Sequence, residues 1–263
     1  MDNLRTYCCE PYDLVLLHGG PGVPGELEPV AKRISISFGI LEPLLLSLSI
    51  RDQIVELHAI IKGYCTQPVV FIGHSWGAWL GFIFVSLYPD FAKKLIMIGA
   101  PPFDDKYAVG ITETRLSRLT PEEKKWLLLA EKQIIDAPGK KHSIMSRYID
   151  LMIKADSFDL LPTDNAEMNF YPEVFYKVWE EASLLRKNGK LIGYANNIRC
   201  PVVALHGDYD SHPAEGVKEP LNSVLKNFKF ILLEKCGHYP WKEKYAKDLL
   251  YKIFYKEIGS TCV

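Results

Sequence analysis

Five residues constrain this chain more than any others: Gly73-His74-Ser75-Trp76-Gly77. Before them Val69 to Gly73 is a continuous apolar run, and after them Trp76 to Tyr88 is apolar on almost every side. Such a run predicts a buried strand, and such an all-round apolar helix must sit behind a sheet. Between the two, a sharp strand-to-helix turn projects the Ser75 hydroxyl from the sheet edge, and glycines on either side remove Cβ clashes. The helix N-terminus adds partial positive charge and unpaired N–H groups beside that hydroxyl. Ser75 is therefore the candidate nucleophile.

The strand–helix alternation recurs. Leu14 to His18 is an apolar run that ends at Gly19-Gly20-Pro21-Gly22, which reads as a buried strand and a turn. Ile34 to Ile40 alternates, which reads as a strand with one exposed face, its short core at Phe38 to Leu41. Ser49 and Asp52 form a capping box for a helix striped by Ile50, Ile54, Leu57 and Ile61. Leu95 to Gly99, Val202 to Gly207 and Phe230 to Glu234 supply three more strands. A last helix is striped by Ala246, Leu249, Leu250 and Ile253. This spacing is that of β-α-β units, so the fold class is α/β, with about six mostly parallel strands and helices on both faces. The Phe38 strand then lies at an edge, and Leu44-Leu45-Leu46 needs cover from the helical segment that follows Pro101 or from a partner chain, leaving monomer or homodimer open.

One segment breaks the rhythm. Between Pro101 and Arg199 there are helix signals but no strand. Thr120-Pro121-Glu122-Glu123 is a helix start, and Pro172 to Lys187 reads as a helix ended by Gly189. Residues 1–100 and 200–263 form the core in this reading, and 101–199 an inserted helical lid. Its aromatics include Trp126 and Trp179. Glu180 and Glu181 read as a solvated helix face.

A serine nucleophile needs a base, and the base an orienting acid. His238 follows the last strand, where ligand-facing groups of an open α/β sheet gather. His212 is its competitor, and also a candidate to line the site with His74, Trp126 and Trp179. His206, inside a strand, and His18 read as structural. In His18-Gly19-Gly20 the glycines let backbone approach a substrate oxygen, so the N–H groups of Gly20 and Trp76 are candidate oxyanion donors.

These motifs make the chain resemble an α/β-hydrolase-fold serine hydrolase. His18-Gly19-Gly20-Pro21-Gly22 followed by Gly-x-Ser75-Trp76-Gly is similar to the proline iminopeptidase branch. The resemblance implies Ser75 as nucleophile, His238 as base and an aspartate after Gly207 as the acid. The family pattern puts that acid three residues past the glycine, at Asp210; Asp208 then braces the loop. Three departures stand out. The first two family strands are largely missing before Leu14. The Asp-x-Arg-Gly stretch expected near Leu41 to Ile50 is absent. The elbow reads Gly-His-Ser instead of Gly-Gly-Ser. The expectation is cleavage of an ester, thioester or amide of a small, partly apolar substrate, with an iminopeptidase-like aminopeptidase and a non-enzymatic ligand receptor as the alternatives.

Composition narrows the rest. Of 263 residues, 31 are basic and 32 acidic, a net charge of −1, which gives no surplus for phosphate binding, so no nucleic-acid partner is expected. The longest apolar stretch, Trp79 to Leu87, is too short to span a bilayer, and Met1 to Pro11 holds no apolar run like that of a signal peptide. The six cysteines form no C-x-x-C pair and no His/Cys/Asp set has metal-ligand spacing in sequence. The expectation is a cytoplasmic protein without metal or cofactor, acting on a small molecule.

Overall fold

A computed structural model describes residues 3–136, 142–162 and 170–259. In chain order the strands are β1 (Leu4–Tyr7), β2 (Tyr12–Leu17), β3 (Gly39–Pro43), β4 (Val69–His74), β5 (Ala92–Ile98), β6 (Val202–Gly207) and β7 (Phe228–Leu233). The helices are α1 (Glu28–Ile34), α2 (Ile50–Tyr64), α3 (Trp76–Leu87), α4 (Ile111–Ser117), α5 (Pro121–Asp136), α6 (His142–Ala155), α7 (Pro172–Lys187), α8 (Lys190–Gly193), α9 (Glu215–Val224) and α10 (Lys247–Ile258).

One sheet runs β1-β3-β2-β4-β5-β6-β7, parallel throughout except that β1 pairs antiparallel with β3. The period of two in each strand divides the core. Val15, Leu17 and Phe71 face one cluster with Ile54, Leu57, Trp79 and Phe82 from α2 and α3. Leu14, Leu16 and Ile72 face the other, with Val30, Ile34, Leu250 and Phe254 from α1 and α10. The strands between are buried on both sides, which is why they read as unbroken apolar runs.

Two expectations are corrected here. The sheet has seven strands, because Leu4–Tyr7 adds an antiparallel edge and makes β3 an inner strand. Arg5 and Tyr7 carry no apolar signal; the strand is held by its ladder to β3 and by the Tyr7 hydroxyl donating to Glu42 at 2.6 Å. The Ile34 to Ile40 alternation also misleads. Ile34 ends α1 on the core side, Ile36 is 76% exposed, and strand begins only at Gly39. The Leu44-Leu45-Leu46 run finds its cover within the chain, with Leu45 in the α2–α3 core and Leu46 packed against it.

The caps appear as expected. Ser49 Oγ accepts from Asp52 N–H at 3.1 Å, and Thr120 and Glu123 exchange side-chain and backbone bonds. Between β5 and β6 the described residues hold helices and no strand, apart from one isolated antiparallel bridge from Leu160 to Glu243. There Leu119, Leu127, Leu151 and Ala155 make a separate small core. Among the described residues no helix is long and apolar enough to cross a membrane.

Candidate active site

The sharp turn after β4 is built by close approach. Gly77, in the first turn of α3, sits where a Cβ would lie 2.1 Å from the Leu17 carbonyl oxygen, so the helix docks directly on the end of β2. Ser75 takes φ 50°, a left-handed value that costs a non-glycine residue about 1–3 kcal/mol. Its N–H pays back part of that cost by donating to Ile98 O at 2.9 Å across the sheet. Trp76 is the first residue of α3, so its N–H has no partner within the helix.

Opposite lies the loop after β2. Gly20 has φ 43°, and its carbonyl closes a turn by accepting from Val23 N–H at 3.0 Å. The Gly19 N–H donates to the Glu26 carboxylate. His18 points away from chemistry: it is buried, its Nδ1 bonds Gly19 O at 2.8 Å, and burial holds its pKa below the ordinary value.

The third group comes from the loops after β6 and β7. His238 Nδ1 donates to Asp210 Oδ2 at 2.7 Å. Asp210 Oδ1 also accepts from His212 N–H at 2.9 Å and from His212 Nδ1 at 2.8 Å. Burial would push the Asp210 carboxyl up, yet the two imidazoles and these bonds hold it well below the usual carboxylate range. Asp208 does the bracing expected of it, accepting Cys236 N–H at 3.1 Å on the loop that carries His238. The His238 main chain is pinned as well: its N–H donates to Asp156 O at 2.7 Å. His206 bonds His212 O at 2.8 Å and so orders the loop after β6, which carries Asp210, from within the core.

A cavity of about 440 Å³ joins these pieces. Its floor includes Gly20, Ser75, His212 and His238, and its walls include Met145, Ile149 and Met152 of α6 and Phe175 and Trp179 of α7. Of the four candidate lining residues, His74, His212 and Trp179 line it. Trp126 does not; it packs against the small Leu119–Leu127–Leu151 core with Arg147 4.4 Å from its ring.

Sequence reasoning missed four charged groups. Glu26 and Asp156 line the cavity and are buried, bound to His74 and to Arg115 respectively. Arg115 grips Asp156 with three bonds of 2.7–3.0 Å. Burial would raise the Asp156 carboxyl, and Arg115 holds it below its ordinary value instead. Glu243 is buried and accepts three backbone N–H groups, of Phe158, Asp159 and Gly237. Glu180 and Glu181 are exposed, as expected of a solvated helix face, and Glu181 also accepts Ile50 N–H at 2.9 Å and so caps α2 from α7. The fold also gathers Asp210, His212 and His238, with one candidate ligand atom of each within 4.8 Å of the others, a cluster that spacing along the chain does not announce. Each imidazole there spends its Nδ1 on the shared carboxylate.

Residues 49–245 match the alpha/beta hydrolase fold family, and the chain belongs to it. No sequence match among curated proteins was found. Among solved structures, VinJ superposes with a TM-score of 0.69 at 16% identity, over 97% of this chain and 93% of that one. The proline iminopeptidase of Mycobacterium smegmatis gives 0.65 at 14% identity, over 97% and 93%. The monoacylglycerol lipase of Paleococcus ferrophilus gives 0.61 at 14% identity, over 97% of both chains. At such identities the likeness is one of fold.

Proposed function

We propose that this chain is a serine hydrolase that cleaves an ester, thioester or amide of a small, partly apolar substrate through an acyl-enzyme. The observation that carries this reading is a left-handed Ser75 opening onto the same cavity as His238, whose Nδ1 is held by Asp210. A ring that donates from Nδ1 keeps its lone pair at Nε2, where a base must have it. His238 then takes the Ser75 proton as Oγ attacks the carbonyl. The N–H groups of Gly20 and Trp76 receive the oxyanion, and the same base activates water to release the acyl group. Residues 101–199 act as the lid, since α6 and α7 supply the apolar walls that select the acyl group.

The iminopeptidase alternative has less support. A substrate's free amino terminus needs an open carboxylate, and both carboxylates among the described lining residues, Glu26 and Asp156, are already engaged. A receptor without turnover would have no use for a strained serine. The test is covalent labelling with a fluorophosphonate followed by mass spectrometry. Label on Ser75, lost in a folded Ser75→Ala variant, is the expected result. A Ser75→Ala protein with full hydrolytic activity overturns the assignment.

A further inference from the structure

His74 precedes the serine, and its side chain turns back beneath the site. It is buried, with the rings of His238, Trp241 and Tyr239 centred 4.6, 4.7 and 5.4 Å away. Its Nδ1 lies 2.5 Å from Glu26 Oε1, and its Nε2 lies 3.0 Å from the carbonyl oxygen of His238. A carboxylate and a carbonyl oxygen both accept, and a neutral imidazole has only one N–H to give. Both contacts are satisfied together when both ring nitrogens carry protons.

Glu26 points the same way. Its Oε1 takes the Gly19 N–H and faces His74 Nδ1, and against the upward push of burial these two neighbours hold the carboxyl below its ordinary value, the side that favours the carboxylate. A buried anion needs a cation in contact. His18 does not provide it, because burial keeps that ring neutral and its Nδ1 is spent on Gly19 O. The Lys242 ammonium feels the Glu26 charge, but burial lowers its pKa and it makes no ion-pair contact with Glu26 among the described residues, lying instead 5.5 Å from the centre of the Tyr239 ring, which burial holds protonated. The ion-pair contact of Glu26 among the described residues is His74.

We infer that Glu26 and His74 form a fixed carboxylate–imidazolium pair, and that His74 is a positioning residue that clamps the base loop onto the nucleophile turn. One carboxylate thus joins three loops: the Gly19 N–H of the oxyanion loop, residue 74 of the turn, and through His74 the carbonyl of His238. With Asp156 O on the His238 N–H, the main chain of the base is held on both sides. The kinetic part of this inference rests on the roles proposed for Ser75 and His238; the protonation of His74 does not.

Long-range ¹H–¹⁵N spectra of the histidine rings in the full chain at neutral pH test it, with the His74 signals identified by their loss in His74→Gln. Both ring nitrogens of His74 should be protonated. In Glu26→Gln one of them should lose its proton. Fluorophosphonate labelling at saturating probe should then slow on the order of 10- to 10²-fold, with the half-saturating concentration nearly unchanged, as a small misplacement of the base requires. A wild-type His74 with a single protonated nitrogen overturns the pair, and that spectrum decides even if Glu26→Gln fails to fold. An unchanged labelling rate in a folded Glu26→Gln overturns the clamp. Absence of labelling in the wild type refutes the nucleophile and leaves the ring spectrum to decide the pair.

Discussion

Replacing Asp210 by asparagine removes one charge and one acceptor at the point where two imidazoles meet. The two bonds from His212, its N–H at 2.9 Å and its Nδ1 at 2.8 Å, both fall on Oδ1. The asparagine oxygen will stay with them, which puts the amide NH₂ where Oδ2 now receives His238 Nδ1 at 2.7 Å. Two donors then face each other unless His238 moves its proton to Nε2. In that tautomer the ring has no lone pair for the Ser75 proton. The corresponding tautomer error in a serine protease costs about 10⁴ in kcat, so a loss of roughly 10³–10⁴, or about 4–5.5 kcal/mol of barrier, is expected here. Stability should fall less. Charge-assisted bonds exceed neutral ones by about 1 kcal/mol each, so three such bonds bound the loss near 3 kcal/mol, within the reserve of an ordinary domain. The assay is the rate of fluorophosphonate labelling, with a melting curve on the same sample. Asp208→Asn is the control: it keeps an oxygen for Cys236 N–H, and should change the rate less than about threefold and stability by about 1 kcal/mol or less. Labelling within tenfold of wild type in Asp210→Asn, or a large loss confined to Asp208→Asn, would refute the assignment of the acid.

Other consequences are as specific. Gly77→Ala should cost upwards of about 3 kcal/mol or abolish soluble expression, because the new methyl meets backbone oxygens of Leu17 and His18 at 2.1 and 2.6 Å; Gly63→Ala in α2, with nothing within 4 Å, should raise the melting temperature slightly. Glu26, Asp156 and Asp210 all have folded pKa values below their ordinary ones, so their stabilisation is full above the usual carboxylate range and drains away as pH falls through the lower, folded values. Melting temperature should therefore begin to decline below about pH 6.5, where His18, kept neutral by burial, gains a proton in the unfolded chain, and fall more steeply below about pH 4, with Glu42, raised by burial, opposing weakly; a stability maximum below pH 4 contradicts this. Chelators should leave labelling of Ser75 unchanged, since His212 and His238 commit Nδ1 to Asp210; a loss reversed by zinc would make that cluster a metal site.

What the sequence revealed depended on how far apart the cooperating residues lie. Buried strands announce themselves because both faces are apolar, and the boxes at Ser49 and Thr120 because their partners are three residues away. The serine turn is equally local. Asp210 was reached through the resemblance, whose pattern sets an acid three residues past the glycine that Gly207 matches. Glu26 was not, since its meaning comes from His74, 48 residues on, and Asp156 is explained by Arg115, 41 residues back. β1 was hidden for a related reason: its four residues are polar or half-exposed, and only the ladder to β3 makes them a strand. Trp126 misled because an aromatic on a covering helix can serve that helix's own small core as readily as a ligand.

The two helices that wall the cavity are tied to the core in different ways. Tyr171 N–H, just before α7, donates to Gly22 O at 2.8 Å, and a Cβ on Gly22 would lie 2.6 Å from Tyr171 O. With Glu181 capping α2, α7 is fastened both to the loop of the candidate oxyanion donor and to the core. The α6 helix packs instead on α4 and α5. Changes of shape along α7 are therefore transmitted to backbone that the chemistry needs in place. Changes at Met145 or Ile149 alter the cavity's outline, whereas Met152 also packs in the small core and its carbonyl accepts the Asp156 N–H. A lineage, or a designer, seeking a new substrate from this scaffold has one wall free to rewrite and another that must be inherited whole.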